Sequence, residues 1–266
     1  MKRKNHLISI KTLTDNHLES FIRCPNKFYH QYILRKNSSG EDLGRQMVEF
    51  FVHKIILDYY RLPLKEQNEL NLLKIIVQYR DYIHPSLFES KVEYYVTLAK
   101  ITDHLLLFLT SNQQDEPPLF LYERLQVPVK ELKTNLSLTI DMGEWCKNTF
   151  TIKKYILDTD DRIVSLYKYL LAVFAKKAFG VLPDQIELFS LLDGNRHTMT
   201  PTEHDVAKGL MYLELVKDHI QKPEYYVKRN CDHCSECIHN KEYDHPEAQN
   251  ENKSNLLAAS FKTVLH

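Results

Sequence analysis

The hydrophobic pattern of this chain changes its period close to Pro117 and Pro118. Before this point apolar residues recur every three or four positions, as in an amphipathic helix; from there to residue 157 they alternate, as in a half-buried strand, and the two periods are mixed thereafter. A segment patterned for one of these structures does not bury its apolar side chains in the other. The chain is therefore predicted to be an α/β protein, with a helical N-terminal half, then a mixed central sheet flanked by helices, and a Cys-rich C-terminal loop.

The N-terminal part, residues 1–112, is predicted to be helical. Helices are expected from Thr14, over 43–62, over 64–83 and over 86–110, with a break just after Cys24 where Pro25 interrupts the first pattern. Residues 1–12 are expected to form a short extended lead-in. The polar stretch 113–118 ends in two prolines and is predicted to be a linker.

The second part, residues 119–240, is predicted to hold the sheet and the cysteine loop. Strands are expected over 119–132, 136–142, 149–157 and 185–192, with a short return strand at 198–199. Helices are expected over 160–179, ending at Gly180, and from 200 to about 221. Three strands followed by helix, strand and helix fit a mixed sheet better than a doubly wound one. The polar tail over 241–266 is expected to be flexible.

Composition excludes several classes of protein. The 266 residues carry 35 Lys and Arg against 35 Asp and Glu, and 43% are hydrophobic, which is typical of a soluble globular chain and not of a basic nucleic-acid coat protein. With 6 glycines and no Gly-rich phosphate loop, no nucleotide cofactor is expected. No apolar run approaches the ~18 residues of a membrane span, and no secretory signal follows the basic N-terminus, so we expect no membrane partner and a cytoplasmic location.

Three cysteines lie close together near the C-terminus, at Cys231, Cys234 and Cys237. The short gaps between them allow the thiolates to converge on one metal centre, and soft thiolate ligands select zinc, copper(I) or an iron–sulfur cluster. A tetrahedral zinc ion or a cluster needs a fourth ligand. The candidates are Cys24, Cys146, His233 and His239. The spacing by itself leaves zinc and iron–sulfur both open.

The segment around Cys24 reads LESFIRCPNKFYH. It resembles the N-terminal cysteine segment of the RecB-type PD-(D/E)XK nucleases that carry an iron–sulfur cluster, a superfamily that includes the AddB C-terminal nuclease and the CRISPR adaptation nucleases. The matching positions are Thr14, Leu18, Phe21, Cys24, Pro25, Lys27, Phe28 and Tyr29. The resemblance covers residues 12–240 and implies a restriction-endonuclease-like core. It also implies DNA, or a DNA-processing helicase–nuclease complex active in DNA repair, as the partner.

The same resemblance implies that Cys24 joins Cys231, Cys234 and Cys237 in a 4Fe–4S cluster, which holds the two ends of the chain around the core. The family spaces its last three cysteines as Cys-x2-Cys-x5-Cys. Here the second gap is shorter, and Asn240 stands at the family's last position. Zinc bound by the three C-terminal cysteines, with His233 or His239 as the fourth ligand, is therefore the alternative. The chain would then be a zinc-stapled protein-interaction module without nuclease activity.

The family also carries two carboxylates on neighbouring strands that hold Mg or Mn, and a lysine that orients the attacking water. Glu123 matches the first acidic position and Asp141 the next, so these two are the predicted metal ligands. Lys154 stands where a second aspartate is expected, and Ile156 replaces the lysine. The catalytic candidates are therefore Glu123, Asp141 and Lys154. Because an ammonium adds positive charge against a metal ion, the resemblance implies a DNA-associated, nuclease-like protein with impaired catalysis.

Other interpretations of these motifs stay open. On the helix after the third strand, Tyr167 fits the family's tyrosine. A migrated carboxylate with Lys153 or Lys154 would preserve activity, and the candidates for it are Asp158, Asp160 and Asp161. The family's helical histidine falls on Val48, with Glu49 beside it and His53 out of register. A further hypothesis is a helicase-associated scaffold whose N-terminal helices face a partner.

Overall fold

A computed structural model describes residues 10–35, 40–111, 116–146 and 149–225 of the chain. Within these ranges only the backbone is described at 40–42, 146 and 225. The predicted loop with Cys231, Cys234 and Cys237 lies outside the described residues, as does the predicted tail over 241–266.

Helices occupy most of the N-terminal part and return around the sheet. The α-helices are α1 Asp15–Arg23, α2 Pro25–Phe28, α3 Gly40–Arg61, α4 Glu69–Tyr79, α5 Lys91–Thr110, α6 Asp161–Phe179 and α7 Glu203–Ile220. A π-helical turn spans Tyr29–Ile33, and short 3-10 turns lie at Leu64–Glu66, Arg80–Tyr82, Pro85–Leu87 and Pro223–Tyr225. None of the helices within the described ranges is long and apolar enough to cross a membrane.

The strands are β1 Thr12–Thr14, β2 Phe120–Val129, β3 Thr134–Cys146, β4 Thr149–Ile156, β5 Gln185–Ser190 and β6 Arg196–Met199. They form one mixed sheet in the described part of the chain, in the order β1-β3-β4-β5-β6, with β2 along the other edge of β3. This sheet, flanked by helices, confirms the predicted α/β architecture.

Local chemistry accounts for several helix boundaries. Thr14 is the N-cap of α1, because its hydroxyl accepts a backbone N–H of the first turn. The predicted break between the first two helices falls between Cys24 and Pro25. Asp160 caps α6 in the same way. Gly180 ends α6 with a φ of 76°, a left-handed conformation that glycine adopts without strain.

Several segments differ from the sequence prediction. The helix expected over 86–110 begins only at Lys91, and the strand expected over 136–142 spans Thr134–Cys146. The region expected to be one helix over 64–83 is divided, because Asn68 caps a new helix and its side chain accepts the N–H of Asn71. The expected lead-in contains strand β1, which pairs in parallel with residues 135–137 of β3. A strand of three residues carries too little alternation to be recognised locally, so its partner strand decides its conformation.

The sheet forks at β3. Its first half pairs with β1 at 135–137, and its second half pairs in antiparallel register with β4 at 142–146. Residues 138–141 of β3 lie between these two partners, on an edge that neither β1 nor β4 covers. The backbone groups on this edge are therefore available to side chains.

The sheet supplies apolar side chains to two hydrophobic cores. One core joins it to α1, α2, α6 and α7, and the other joins it to α3, α4 and α5. The predicted boundary near 112–119 falls between α5 and β2, where the chain changes from helices to strands. Because α1 and α3 are held against the sheet by their apolar residues, their polar residues are brought to the fork.

Candidate functional site at the fork of the sheet

A cavity of about 390 Å³ opens at the fork, between α1, α3 and the strands β3 and β4. We call it the fork cavity. Its charged lining consists of Asp15, Glu19, Arg23, Lys27, Arg45, Glu49, Asp141 and Lys154. Three of these residues recur every fourth position on α1 and therefore share one helix face.

The ammonium of Lys154 lies at the closed end of the fork cavity. Its Nζ donates to Oδ1 of Asp141 at 2.7 Å and to the carbonyl oxygen of Thr139 at 3.2 Å. It also lies 3.6 Å from Oδ2 of Asp15. Lys154 is 9% exposed, so these oxygen atoms replace most of the water around its charge.

The carboxylates around Lys154 are held by further hydrogen bonds. The N–H of Tyr155 donates to Oδ2 of Asp141 at 2.9 Å, and the N–H of Thr139 donates to Oδ2 of Asp15 at 3.3 Å. The hydroxyl of Tyr167 on α6 donates to Oε2 of Glu19 at 2.6 Å. Both carboxylates nearest the ammonium are thus fixed by the backbone of the forked strands.

The electrostatics of the closed end favour a charged lysine. Burial disfavours the ammonium, but Asp141, Asp15 and Glu19 outweigh it and raise the pKa of Lys154 well above its ordinary value. Burial raises the pKa of Asp141, while Lys154 and the N–H of Tyr155 act against this rise. The closed end therefore contains a permanent internal cation.

The outer end of the fork cavity holds two arginines on one carboxylate. Nη1 of Arg23 donates to Oδ2 of Asp158 at 3.0 Å, and its Nη2 donates to the carbonyl oxygen of Asp158 at 2.8 Å. Nη1 of Arg45 lies 2.6 Å from Oδ1 of the same residue. Glu19 and Glu49 accept from the Nε atoms of Arg23 and Arg45, at 2.8 and 3.1 Å.

The two ends of the fork cavity differ in the solvent exposure of their charged side chains. The side chains of the outer charged group are between 14% and 51% exposed, whereas those of Asp15, Asp141 and Lys154 are between 5% and 11% exposed. Water and ligands therefore meet the arginines before they meet Lys154.

Tyr122 and His53 form part of the cavity wall. Their rings stack with centroids 3.8 Å apart and planes 11° from parallel. Tyr122 has a φ of 51°, and such a left-handed conformation costs a non-glycine residue about 1–3 kcal/mol. Burial lowers the pKa of His53, and the nearby Lys54 and Lys154 lower it further. This wall is therefore neutral near pH 7.

The structure brings two of the three predicted catalytic residues together. Asp141 and Lys154 meet in the fork cavity. Glu123 is exposed, pairs in register with Ile140, and lies outside the cavity lining of the described residues. Its neighbour Tyr122 lines the cavity instead. The two predicted metal ligands, Glu123 and Asp141, are therefore not brought together by β2 and β3.

The residues proposed for a migrated site have other partners. Asp158 pairs with two arginines, and Asp160 caps α6 and pairs with Arg162. Asp161 begins α6 on its exposed side, and Lys153 pairs with Glu144 of β3. In the described part of the chain, no three His, Cys, Asp or Glu side chains are arranged to hold a metal ion.

Sequence reasoning missed four charged residues of the cavity, namely Asp15, Glu19, Arg23 and Arg45. Asp15 follows Thr14 at the start of α1, so the sequence indicates a helix cap, and nothing local points to the strand 124 positions away that it contacts. Arg45 lies one residue after Gly44, in a segment where the family resemblance directs attention to Val48. The four-residue spacing of Glu19 and Arg23 is the local signal that would have found the α1 face.

Cys24, the described member of the predicted cluster, is buried and caps α2. Its Sγ accepts the N–H of Lys27 at 3.4 Å. A backbone N–H bonded to sulfur stabilises a thiolate, which is the form that binds iron or zinc. This N–H favours a thiolate, whereas the complete burial of Cys24 favours a neutral thiol. The other three predicted ligands lie outside the described residues.

Comparison with known proteins identifies no family. No protein-family model matches the chain, and no curated protein matches it in sequence. Among solved structures, it is similar to a crystal structure from Eubacterium rectale of a protein proposed to be an exonuclease. That match has 10% sequence identity and a TM-score of 0.48, and it covers 90% of this chain and 91% of the other.

Proposed function

We propose that this chain is a nuclease-like, DNA-associated protein in which Lys154 takes the place of a catalytic metal ion. The observation that carries the proposal is the oxygen shell of its ammonium, formed by Asp141, Thr139 and Asp15. Oxygen atoms are also the ligands that Mg and Mn take in proteins. The RecB-type motif has a carboxylate at the position of Lys154, so the charge at this point is inverted.

An ammonium ion does not replace a divalent metal in catalysis. It carries one positive charge, and it has no open coordination position for a phosphate oxygen or an attacking water. It also does not lower the pKa of a bound water to near neutrality, as a metal ion does. With Lys154 in this position, the fork cavity would lack the electrophile that phosphoryl transfer requires.

The order of the elements supports the nuclease-like assignment. The family motif places acidic residues on successive strands and a tyrosine on the following helix. Here Glu123 lies on β2, Asp141 on β3, Lys154 on β4 and Tyr167 on α6. Tyr167 also reaches the site, since its hydroxyl binds Glu19 and its ring lies 5.7 Å from the Lys154 ammonium.

A cleavage assay tests the proposal. Plasmid and labelled oligonucleotides are incubated with Mg or Mn and the full chain, as wild type and as Asp141→Ala. We expect no metal-dependent cleavage by the wild type above the level of the variant. Cleavage that disappears in Asp141→Ala would overturn the claim of impairment. DNA binding by the same samples, measured by anisotropy, separates loss of cleavage from loss of association.

A structural cluster is the second part of the proposal. Cys24 would supply one thiolate, and Cys231, Cys234 and Cys237 the other three, to a 4Fe–4S cluster. Such a cluster would join the N-terminal helices to the C-terminal end and restrict the unfolded chain. The N–H that Lys27 donates to the sulfur of Cys24 supports this assignment.

A second candidate function is a zinc-stapled protein-interaction module. The observation that favours it is a set of exposed apolar side chains on α4 and α5, which are Leu70, Leu73, Val77, Val92, Tyr95 and Val96. Surfaces of this composition mark partner interfaces in soluble proteins. Stoichiometric zinc that is unaffected by Cys24→Ser, together with no DNA binding, would favour this candidate over the first.

A further inference from the structure

We propose that Arg23 and Arg45 form an oxyanion site for a phosphate group, and that Asp158 closes this site as an internal anion. The inference rests on the proposed function for the identity of the ligand, a phosphate of a nucleic acid. The site itself is distinct from the contact shell of Lys154, because it lies at the outer, more exposed end of the fork cavity.

The geometry is that of an anion receptor. Two guanidinium groups from different helices, α1 and α3, converge on three oxygen atoms of Asp158, two from its carboxylate and one from its carbonyl group. Guanidinium groups bind phosphate with the same planar pairs of N–H donors that they offer to carboxylates. A phosphate group carries its oxygen atoms around a single phosphorus atom. It could therefore replace the three oxygen atoms of Asp158 as the acceptor for both guanidinium groups.

The contact between Arg45 and Asp158 is close in distance but poorly satisfied. Nη2 of Arg45 is enclosed and has no hydrogen-bond partner within the described residues, since the nearest carboxylate oxygen, Oε1 of Glu19, lies 3.9 Å away. Oδ1 of Asp158 is also enclosed, and its 2.6 Å contact with Nη1 of Arg45 lacks hydrogen-bond geometry. A charged group left in this state is unfavourable, and a site of this kind often receives an ion or water. The additional oxygen atoms of a phosphate would satisfy the donor that Asp158 leaves unbonded.

Asp158 is placed where it can withdraw. It lies in the irregular segment between the end of β4 at Ile156 and the start of α6 at Asp161, and its side chain is 34% exposed. Rotation of this side chain breaks no hydrogen bond of a helix or strand. The anion that closes the site is therefore the part of it that moves most easily.

The remaining charges favour a bound anion once Asp158 has withdrawn. Arg23, Lys27 and Arg45 then line the cavity against Glu19 and Glu49, which leaves an excess of one positive charge at the outer end. Amide side chains from α1, α3 and the π-helical turn add hydrogen-bond donors, namely Asn16, Gln46 and Gln31. With Asp158 in place this excess is cancelled, so we expect weak phosphate binding by the wild type.

The test compares two probes on the full chain. One is a fluorescein-labelled single-stranded oligonucleotide followed by anisotropy, and the other is inorganic pyrophosphate followed by calorimetry. Asp158→Asn is expected to bind both probes about 10-fold more tightly than the wild type, since it removes the competing anion. Adding Arg45→Gln to this variant is expected to abolish the gain.

Asp160→Asn is the matched control. It removes the same charge two positions along the chain, and asparagine retains the helix cap that Asp160 provides. We expect its affinities to stay within about 2-fold of the wild type. Arg45→Lys in the wild-type background keeps the charge but loses the planar fork, and is expected to weaken pyrophosphate binding about 5-fold. This variant tests the site even if Asp158→Asn does not fold.

The outcomes separate this inference from the proposed function. Pyrophosphate binding that Asp158→Asn improves no more than Asp160→Asn does, and that Arg45→Lys leaves unchanged, overturns the oxyanion site. DNA binding by the wild type that survives in that case leaves the proposed function intact. Improved pyrophosphate binding without any DNA binding supports the oxyanion site and contradicts the nucleic-acid function.

Discussion

Lys154 and Asp141 face each other at the point where β3 and β4 separate. Ladder pairing between the two strands ends at Met142 and Lys153, and the next residue on β4 sends its Nζ to within 2.7 Å of Oδ1 of Asp141. The strand edge beyond this point is open, so Thr139 adds its carbonyl oxygen to the same ammonium. The fork of the sheet thus creates the polar shell in which the lysine is buried.

Replacing Lys154 by methionine tests how much this ion pair contributes to folding. The variant keeps most of the side-chain volume but leaves Asp141 and Asp15 buried without a cation. We expect the free energy of unfolding to fall by about 3–5 kcal/mol near neutral pH, measured by urea denaturation. Because burial raises the pKa of Asp141, protonation becomes easier without the lysine, and the loss should shrink as the pH is lowered.

Two further variants complete this experiment. Lys176→Met breaks the exposed pair with Glu203 and is expected to cost less than about 1 kcal/mol. Adding Asp141→Asn to Lys154→Met removes one unpaired charge, so the double variant should recover part of the lost stability. A Lys154 variant no less stable than the Lys176 control would contradict the assigned role.

The lowered pKa of His53 predicts that the folded protein loses stability as the pH falls below neutrality. The pKa is lowered in the folded chain from an ordinary value of 6.5, chiefly by burial. Above pH 6.5 the His53 imidazole is mostly neutral in both the folded and the unfolded chain. As the pH falls below 6.5, the unfolded chain binds the proton more readily than the folded chain, so the free energy of unfolding decreases. His53→Gln should therefore lose less stability than the wild type between about pH 7.5 and pH 5. A His53→Gln variant that loses as much stability as the wild type over this pH range would contradict the prediction.

Metal analysis of Cys24→Ser tests the predicted cluster. The protein is purified anaerobically, and iron, sulfide and zinc are measured together with the absorbance spectrum. We expect about four iron and four sulfide in the wild type, and loss of both in the variant, because the cluster loses one thiolate ligand. A colourless wild-type protein with stoichiometric zinc, unchanged in Cys24→Ser, would contradict the iron–sulfur prediction.

Gly209→Ala tests the close approach of α6 and α7. A methyl group at Gly209 would lie 2.7 Å from a side-chain carbon of Val173 and 3.0 Å from the carbonyl oxygen of Tyr169. The better helix propensity of alanine offsets part of this overlap, so we expect a net loss of about 1–2 kcal/mol in the free energy of unfolding. Glu214→Ala, on the exposed side of the same helix, should change stability by less than about 0.5 kcal/mol. Equal stability of both variants would show that the two helices separate at little cost.

Part of the candidate site was predictable from the sequence. Asp141 and Lys154 were identified because the strand pattern and the RecB-type motif order place them on neighbouring strands. Glu123 fits the same pattern but lies outside the cavity lining that the structure describes, since Tyr122 at the preceding position lines the cavity and has a left-handed φ. A left-handed backbone at a tyrosine carries no local sequence signal, and its stacking partner His53 is distant in the chain.

Apart from β1 and the division of the segment 64–83, the sequence by itself determined the elements of this protein and most of their boundaries. Apolar periods, the break at Pro25, the cap at Asp160 and the stop at Gly180 act within a few residues, and the structure contains each of them. These are local interactions, so local patterns report them.

Only the tertiary structure decided that the sheet forks and what fills the fork. Pairing of β1 with β3 brings Asp15 against Thr139, which is 124 positions away in the chain. Packing of α1 and α3 on the sheet places Arg23 and Arg45 on Asp158. Contacts over such separations depend on strand register and on the simultaneous burial of two cores, and no short segment of the sequence contains that information.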